Sequence, residues 1–407
     1  MIHPYIRYIY IDYKFYGGSI YNHAVFSVTK TRKENMNTKF IIILSIVAIT
    51  TILVSVAAYV YLSQPPTSST SITLHGAGAS FPYPFLNAII TKYSTDVKPN
   101  VLVNYQSIGS GGGIAALKQP TPTVDFAASD APLSASDTAN IPNALHIPEA
   151  IGAVTVAYNL PGVDSGLHLT GKVIADIYQG AITNWNDQAI QNINPAITLP
   201  AQTINTVHRS DGSGTTFIFT GYLSASSASW NSSVGQGKSV PWPVGIGSSG
   251  NTGVASTVIG IQYSIGYVEL AYILENDMTI AVVQNPSGNW IEPSLESTQL
   301  AVQSGASSGL PAGSASWVNV NLINAPDANA YPIVSFTYLL SYKELNVLSG
   351  MTQDKATAIV QFLWYVVHEG QDLAPGLSYA KLPSNVVQIN EATIQSITFN
   401  GQQIQTT

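Results

Sequence analysis

The pattern of apolar and polar positions changes character along the chain. Residues 1–35 are rich in Tyr and follow no helical or strand period. Residues 40–62 (FIIILSIVAITTILVSVAAYVYL) are apolar throughout and carry no charge. That run is as long as the about 20 residues a helix needs to cross a bilayer. Residues 63–71 (SQPPTSSTS) form a Pro/Ser/Thr linker that packs no core. Beyond it, short runs of strand character alternate with longer helical ones. Residues 71–75 predict a strand, residues 76–79 a Gly-Ala-Gly-Ala turn, and residues 81–93 a helix. Val101–Ser107 (VLVNYQS) predicts a second strand, followed by a Gly-rich turn and a helix over 112–118. Residues 124–129 predict a third strand. Such alternation implies α/β domains with largely parallel sheets. The Ser/Gly-rich stretches 224–251 and 304–316 lack a period and are expected to be surface loops.

The flanks of the apolar run set its orientation. Lys30, Arg32, Lys33 and Lys39 all precede it, so the amino end is expected in the cytoplasm and everything after residue 62 outside. The run exceeds a usual signal-peptide core, and no small-x-small cleavage site precedes the linker. Both features favour an uncleaved transmembrane anchor, with a cleaved signal and a secreted domain as the alternative. Met36-Asn37-Thr38-Lys39 reads like the natural start of such a segment, so translation is expected to begin near residue 36. The 407 residues include no Cys, which removes disulfides and thiolate metal sites. The seven His are scattered without the spacing of a metal helix, and no metal or cofactor is expected. The length suggests about two or three domains.

Charge narrows the chemistry further. Residues 63–407 hold nine Lys and Arg against 20 Asp and Glu, a balance near −11, and no nucleic-acid partner is expected. Eight of those nine are Lys, and Arg209 is the one Arg beyond residue 62. A domain that keeps a single Arg needs its planar fork, which suits a carboxylate, phosphate or sulfate. Arg209 stands in HRSDGSGTT (208–216), between a strand and an apolar helix. A Gly/Ser/Thr turn that opens a helix aims several N–H groups, and the positive end of the helix dipole, into one space. Ser213 and Thr215 add hydroxyls, although Ser and Thr are also ordinary helix caps. Two more strand–turn–helix junctions share this chemistry. Residues 76–82 set Ser80 at a helix start, with Pro82 suited to the first turn. Gly109-Ser110-Gly111-Gly112-Gly113 follows the second strand. Three such turns with a single Arg imply helix N-termini converging on one oxyanion. No GxxxxGK[ST] occurs, which excludes a nucleotide P-loop.

Asp130 ends the strand VDFAAS and is expected at the carboxyl edge of the sheet, where α/β folds bind ligands. A carboxylate repels an anion unless it accepts a hydrogen bond from a proton on that anion. Phosphate near neutral pH keeps a proton and sulfate does not, so an acceptor-only group admits one and rejects the other. The plainer reading of Asp130 is a helix cap or a surface acid.

At these residues the chain resembles the phosphate-binding protein of the bacterial and archaeal phosphate ABC transporter. GAGASFPYPF, VNYQSIGSGGG, VDFAASDAPLS, ITNWND, RSDGSGTTFIFTGYL and SIGYVELAY match that family's signature segments in the family's order, from about residue 72 to the carboxyl end. The resemblance implies a two-lobed α/β periplasmic-binding-protein-like fold, with a hinge and a central cleft. One lobe would combine 72–148 with 332–407 and the other would run over 149–331, with crossings near 146–152 and 326–332. It also implies a ligand shell: Ser80 as hydroxyl donor, Phe81 as backbone N–H donor, Ser110 as a further donor, and Asp130 as acceptor. Arg209, Ser213, Gly214 through its backbone, and Thr215 would complete it, with Asp211 orienting Arg209. The family often has Thr where Ser80 stands, and both supply a hydroxyl. The partners implied are inorganic phosphate and the membrane permease subunits, and a monomer is expected.

Capture rather than catalysis is expected. Gly305-Ala306-Ser307-Ser308-Gly309 matches GxSxG, but it lies in a Ser-rich stretch with no strand before it and is read as accidental. No carboxylate cluster suggests the divalent metals many phosphatases need. The alternatives are a binding protein for another oxyanion and, further off, a secreted phosphomonoesterase. Asn231-Ser232-Ser233 is a glycosylation sequon.

Overall fold

The computed structural model describes residues 15–16, 19–20, 38–62, 71–119, 121–306 and 309–406. The chain divides into two compact units, Met1–Ser68 and Ser69–Thr407. The first holds a short antiparallel pairing of Phe15–Tyr16 with Ser19–Ile20 and a 25-residue helix, Thr38–Leu62. The large apolar side chains described in that helix, among them Ile46, Ile52 and Val54, are exposed. Among the described residues no helix is long and apolar enough to cross a membrane. The expected start at Met36, most of the linker, and Ser307 and Ser308 of the GxSxG match lie outside the described residues.

The second unit is built on one 11-stranded sheet. Its principal strands in chain order are β1 (Ile72–Gly78), β2 (Val101–Ser107), β3 (Phe126–Ser129) and β4 (Ala144–Asn159). They are followed by β5 (Asn205–Arg209), β6 (Ile246–Ser248), β7 (Ser264–Glu269) and β8 (Val334–Tyr342). Side by side they run β2-β1-β3-β8-β4-β7-β5-β6. At one end β1 pairs parallel with both β2 and β3, and at the other β5 pairs parallel with β6 and β7. The central strands β8 and β4 join the two ends through antiparallel pairing. This is an α/β fold with one curled, mixed sheet.

β4 is the long connector. Its residues up to Ala153 pair with β8, and from Val154 onward they pair with β7. The strand is buried almost throughout because both faces are covered. Helices supply that cover, for example α5 (Gln353–Val367), which packs on β1 and sets Phe362 5.5 Å from the Phe126 ring.

Register places the functional edge. Gly78 is level with Ser107 of β2 and Ala128 of β3, so the turns after these strands open at one height. Likewise Arg209 of β5 is level with Ser248 of β6.

The structure corrects two readings of local pattern. Helix α1 (Tyr83–Lys92), expected from residue 81, begins at Tyr83 because residues 80–82 form the turn. The stretch 224–251 is no simple surface loop. It contains the end of helix α3 (Gly214–Ser226), a short helix Ala228–Ser233, strand β6, and the start of helix α4 (Gly250–Gly260). Trp230, fully buried, pins this segment to the core, an anchor that a Ser/Gly count conceals. Part of 304–316 is inward as well: Gly313 accepts from His146 N–H at 2.8 Å and packs against Thr393.

Candidate anion-binding site

Four strand–turn–helix junctions meet in the second unit. The first follows β1. Gly78, at φ +143°, lies so near β3 that a Cβ would sit 2.1 Å from the Ala128 carbonyl oxygen. Ala79 N–H donates to that oxygen at 2.9 Å, which fixes the turn and buries Ser80 and Phe81. Tyr272 Oη donates to the Ser80 carbonyl and Tyr379 Oη to the Phe81 carbonyl, each at 2.6 Å. With its carbonyls held from both sides, the turn has little freedom.

The second junction opens helix α2 (Ser110–Leu117) after Gly109 at φ +81°. Here the glycines permit backbone contact: Gly111 N–H donates to the Gly212 carbonyl at 2.7 Å. Ser110, fully buried, bridges the end of β3 and the third junction. Its Oγ accepts from Asp130 N–H at 3.2 Å and from Gly214 N–H at 3.0 Å.

The third junction carries β5 into α3. Ser213 caps that helix, its Oγ accepting from Thr216 N–H at 3.0 Å. Its hydroxyl proton is then the donor it can offer a ligand. The Arg209 side chain is 1% exposed and forms a two-point pair with Asp211, Nε to Oδ1 at 2.7 Å and Nη2 to Oδ2 at 2.5 Å. The remaining Nη1 reaches Thr215 Oγ1 at 3.3 Å. Burial works against the Asp211 charge, but the bonds from Arg209 hold its carboxyl below the usual range.

Asp130 faces the same space from the end of β3 and is 1% exposed. Its Oδ1 accepts from Thr337 Oγ1 at 3.0 Å, and its Oδ2 lies 3.5 Å from Thr215 Oγ1. Burial pushes its carboxyl up to about 7, although the Thr337 hydrogen bond and the Arg209 charge pull the other way. The structure thus gathers Ser80, Ser110, Asp130, Arg209, Gly214 and Thr215 into one hydrogen-bonded cluster, with Asp211 behind Arg209 and Ser213 in the cap.

Two members escape sequence reading. Asn251, fully buried at the start of α4, is the fourth junction. Its backbone N–H and Nδ2 both donate to Ser80 Oγ at 3.0 Å, and Nδ2 also reaches Thr215 Oγ1 at 3.1 Å. The neighbouring Gly250, at φ +69°, donates its N–H to Asp211 Oδ1 at 3.1 Å. The signal was present, since Gly250-Asn251 opens a helix after a strand as the other junctions do. The three-residue length of β6 inside a Ser/Gly-rich stretch hid it. Thr337 carries no such signal, because a lone Thr in an apolar strand is ordinary.

A closed cluster of helix N-termini around one buried Arg fork and one acceptor, on a sheet joined by long central strands, is the anion-receptor form of the periplasmic-binding-protein-like class. A family model described as a PBP superfamily domain matches residues 63–369. The phosphate-binding protein PstS of Xylella fastidiosa is 44% identical over 340 residues, covering 81% of this chain and 87% of that protein. PstS of the archaeon Methanocaldococcus jannaschii is 37% identical over 356 residues, covering 82% and 89%. A high-affinity periplasmic phosphate-binding protein, PfluDING, solved with bound phosphate, shares the fold with a TM-score of 0.60 at 19% identity. The alignment covers 79% of this chain and 93% of that one. The chain belongs to the PBP superfamily and, within it, to the PstS phosphate-binding protein family.

Proposed function

We propose that this protein captures inorganic phosphate outside the cytoplasm and delivers it to the permease subunits of an ABC-type phosphate importer. The observation that carries the reading is an acceptor-only side chain, Asp130, buried among donors from four helix N-termini and the single Arg of the domain. In the proposed complex Ser80, Ser110, Ser213 and Thr215 donate through hydroxyls, Phe81 and Gly214 through backbone N–H, and Arg209 through its fork. Asn251, whose amide already reaches Ser80 and Thr215, joins them. Asp130 accepts the phosphate proton. Asp211 occupies two guanidinium donors and moderates the pull on a dianion.

Residues 72–148 with 332–407 would form one lobe and 149–331 the other. The change of partner along β4 between Ala153 and Val154, level with the start of β8 at Val334, supports a hinge there. Ser80, Ser110 and Asp130 would then belong to the first lobe, and Arg209 to Thr215 with Asn251 to the second.

The deciding experiment is paired calorimetric titration of wild type and Asp130→Asn with phosphate and sulfate at one ionic strength. Asn removes the charge and offers an NH2 donor in place of one acceptor oxygen. Phosphate affinity is expected to fall by less than about tenfold, because lost repulsion offsets the lost acceptor, while the phosphate-to-sulfate ratio falls far more, because an NH2 donor now faces an unprotonated sulfate oxygen. The pH dependence has a definite sign. Asp130 is proton-free above about 7 and gains a proton as pH falls through that value, so sulfate rejection is complete above it and declines in acid. A ratio equal in the two proteins would remove Asp130 from the selectivity argument.

The domain would be tethered by residues 40–62, with the amino terminus inside. The uncharged apolar run, the Lys and Arg on one flank only, and the exposed apolar side chains of Thr38–Leu62 support this reading. Cell fractionation is expected to recover the intact chain with membranes. A soluble mature chain beginning beyond residue 62 would establish a cleaved signal.

A further inference from the structure

Behind Asp130 lies a second acid that the ligand shell does not use. Glu149, in the middle of β4, is fully buried, and one of its carboxylate oxygens lies 3.2 Å from Thr337 Oγ1. The same hydroxyl is 3.0 Å from Asp130 Oδ1. The other Glu149 oxygen, Oε2, is buried and has no hydrogen-bond partner among the described residues. A Thr hydroxyl has a single proton, so it can donate to one of two carboxylates. If both acids were ionised, one would face a lone pair at contact distance in a site with low dielectric.

The arrangement is relieved when one acid carries a proton and donates it to Thr337 Oγ1. The surroundings decide which. Asp130 has the Arg209 charge and the Thr215 hydroxyl on its side, opposed by Asp211. The titratable groups that face Glu149 among the described residues, Asp130 and Tyr105, bring no positive charge. The remaining acid near Asp130 is Glu269, also fully buried, whose Oε2 accepts from Ala271 N–H at 2.8 Å and lies 2.8 Å from Tyr379 Oη. Tyr105, Tyr338 and Tyr379 also face Asp130. Burial drives Glu149 well above the usual carboxylate range, with no cation beside it to oppose that shift as Arg209 does for Asp130.

We propose that Glu149 and Thr337 are positioning residues for anion selectivity: Glu149 keeps a proton at neutral pH and donates it to Thr337 Oγ1, which commits the Thr337 proton to Asp130 Oδ1 and leaves Asp130 Oδ2 as the ionised acceptor facing the ligand. The inference rests on the phosphate reading of the site. Its geometry is a chain, from Glu149 O–H to Thr337 O–H to Asp130 and then to the proton on the anion. Each link orients the next. No proton is consumed or released when the chain forms; the device sets direction and keeps Asp130 charged.

The test is the phosphate-to-sulfate affinity ratio followed from about pH 5 to pH 9 in four proteins. In wild type the ratio falls in acid as Asp130 takes a proton. Thr337→Val deprives ionised Asp130 of its hydroxyl donor, so the fall begins about one pH unit or more higher. Thr337→Ser restores the wild-type profile, which a purely steric role would not do. Glu149→Gln retains a donor toward Thr337 and no charge, so its profile overlays wild type. It also loses the infrared carbonyl band of a buried protonated carboxyl. A Thr337→Val profile equal to wild type overturns the inference. So does a Glu149→Gln profile displaced to lower pH, because that would mean Glu149 was ionised and its charge had been raising Asp130. Absence of phosphate binding in wild type would instead overturn the reading of the site itself.

Discussion

Replacing Arg209 by Lys is expected to reduce phosphate affinity by about tenfold to a hundredfold, although formal charge is preserved. The estimate follows from losing one charge-assisted hydrogen bond, worth about 1.5–3 kcal/mol. The guanidinium is buried and already divided: Nε and Nη2 serve Asp211, and Nη1 points to Thr215 and the space beside it. A point ammonium on a flexible stem cannot hold Asp211 at two points and address an anion in a second direction. It would either follow Asp211, leaving the ligand side empty of charge, or leave Asp211 an uncompensated acid beside an anion site. Calorimetry with phosphate reads the effect. Affinity within about twofold of wild type would mean that the fork is not what the ligand needs.

The second large effect is expected from Gly214→Ala. A Cβ at this position would lie 2.5 Å from Ser110 Oγ and 2.6 Å from both Cβ and Oδ2 of Asp130. Carbon atoms do not approach that closely, and Asp130 cannot yield far, since it ends a buried strand and is held by Thr337. The Gly214 N–H to Ser110 Oγ bond would open, and the third junction would separate from Ser110 and Asp130. Phosphate affinity should fall by about a hundredfold or more, as misplacement by 1 Å can do. Stability should respond differently. Gly214 is the first residue of α3, where Ala is the better helix former and restricts the unfolded chain, a gain of about 0.4–1 kcal/mol if the site can open. A variant that melts no earlier than wild type but no longer binds phosphate is therefore the expected result. Unchanged affinity would show that the junctions need not meet.

Much of this was legible in the linear chain, and the reasons are local. Gly-rich turns between strands and helices mark themselves, because few other residues tolerate those backbone angles. Gly78 at φ +143° and Gly109 at φ +81° are such positions. Ser80, Ser110 and Ser213 stand beside such turns, and Arg209 stood out because residues 63–407 contain no other Arg. The alternation of runs gave the α/β class for the same reason, since each element's period is set by its own backbone geometry. Tertiary structure alone decided which junctions meet. β6 pairs with β5 through three residues, and that pairing carries Asn251 to Ser80, 171 residues away in the chain. Thr337 and Glu149 reach Asp130 only because β8 lies between β3 and β4, an order of strands that no local period encodes. A hydrogen bond between distant residues depends on register and sheet order, which are settled by the packing of the whole core rather than by any stretch of sequence.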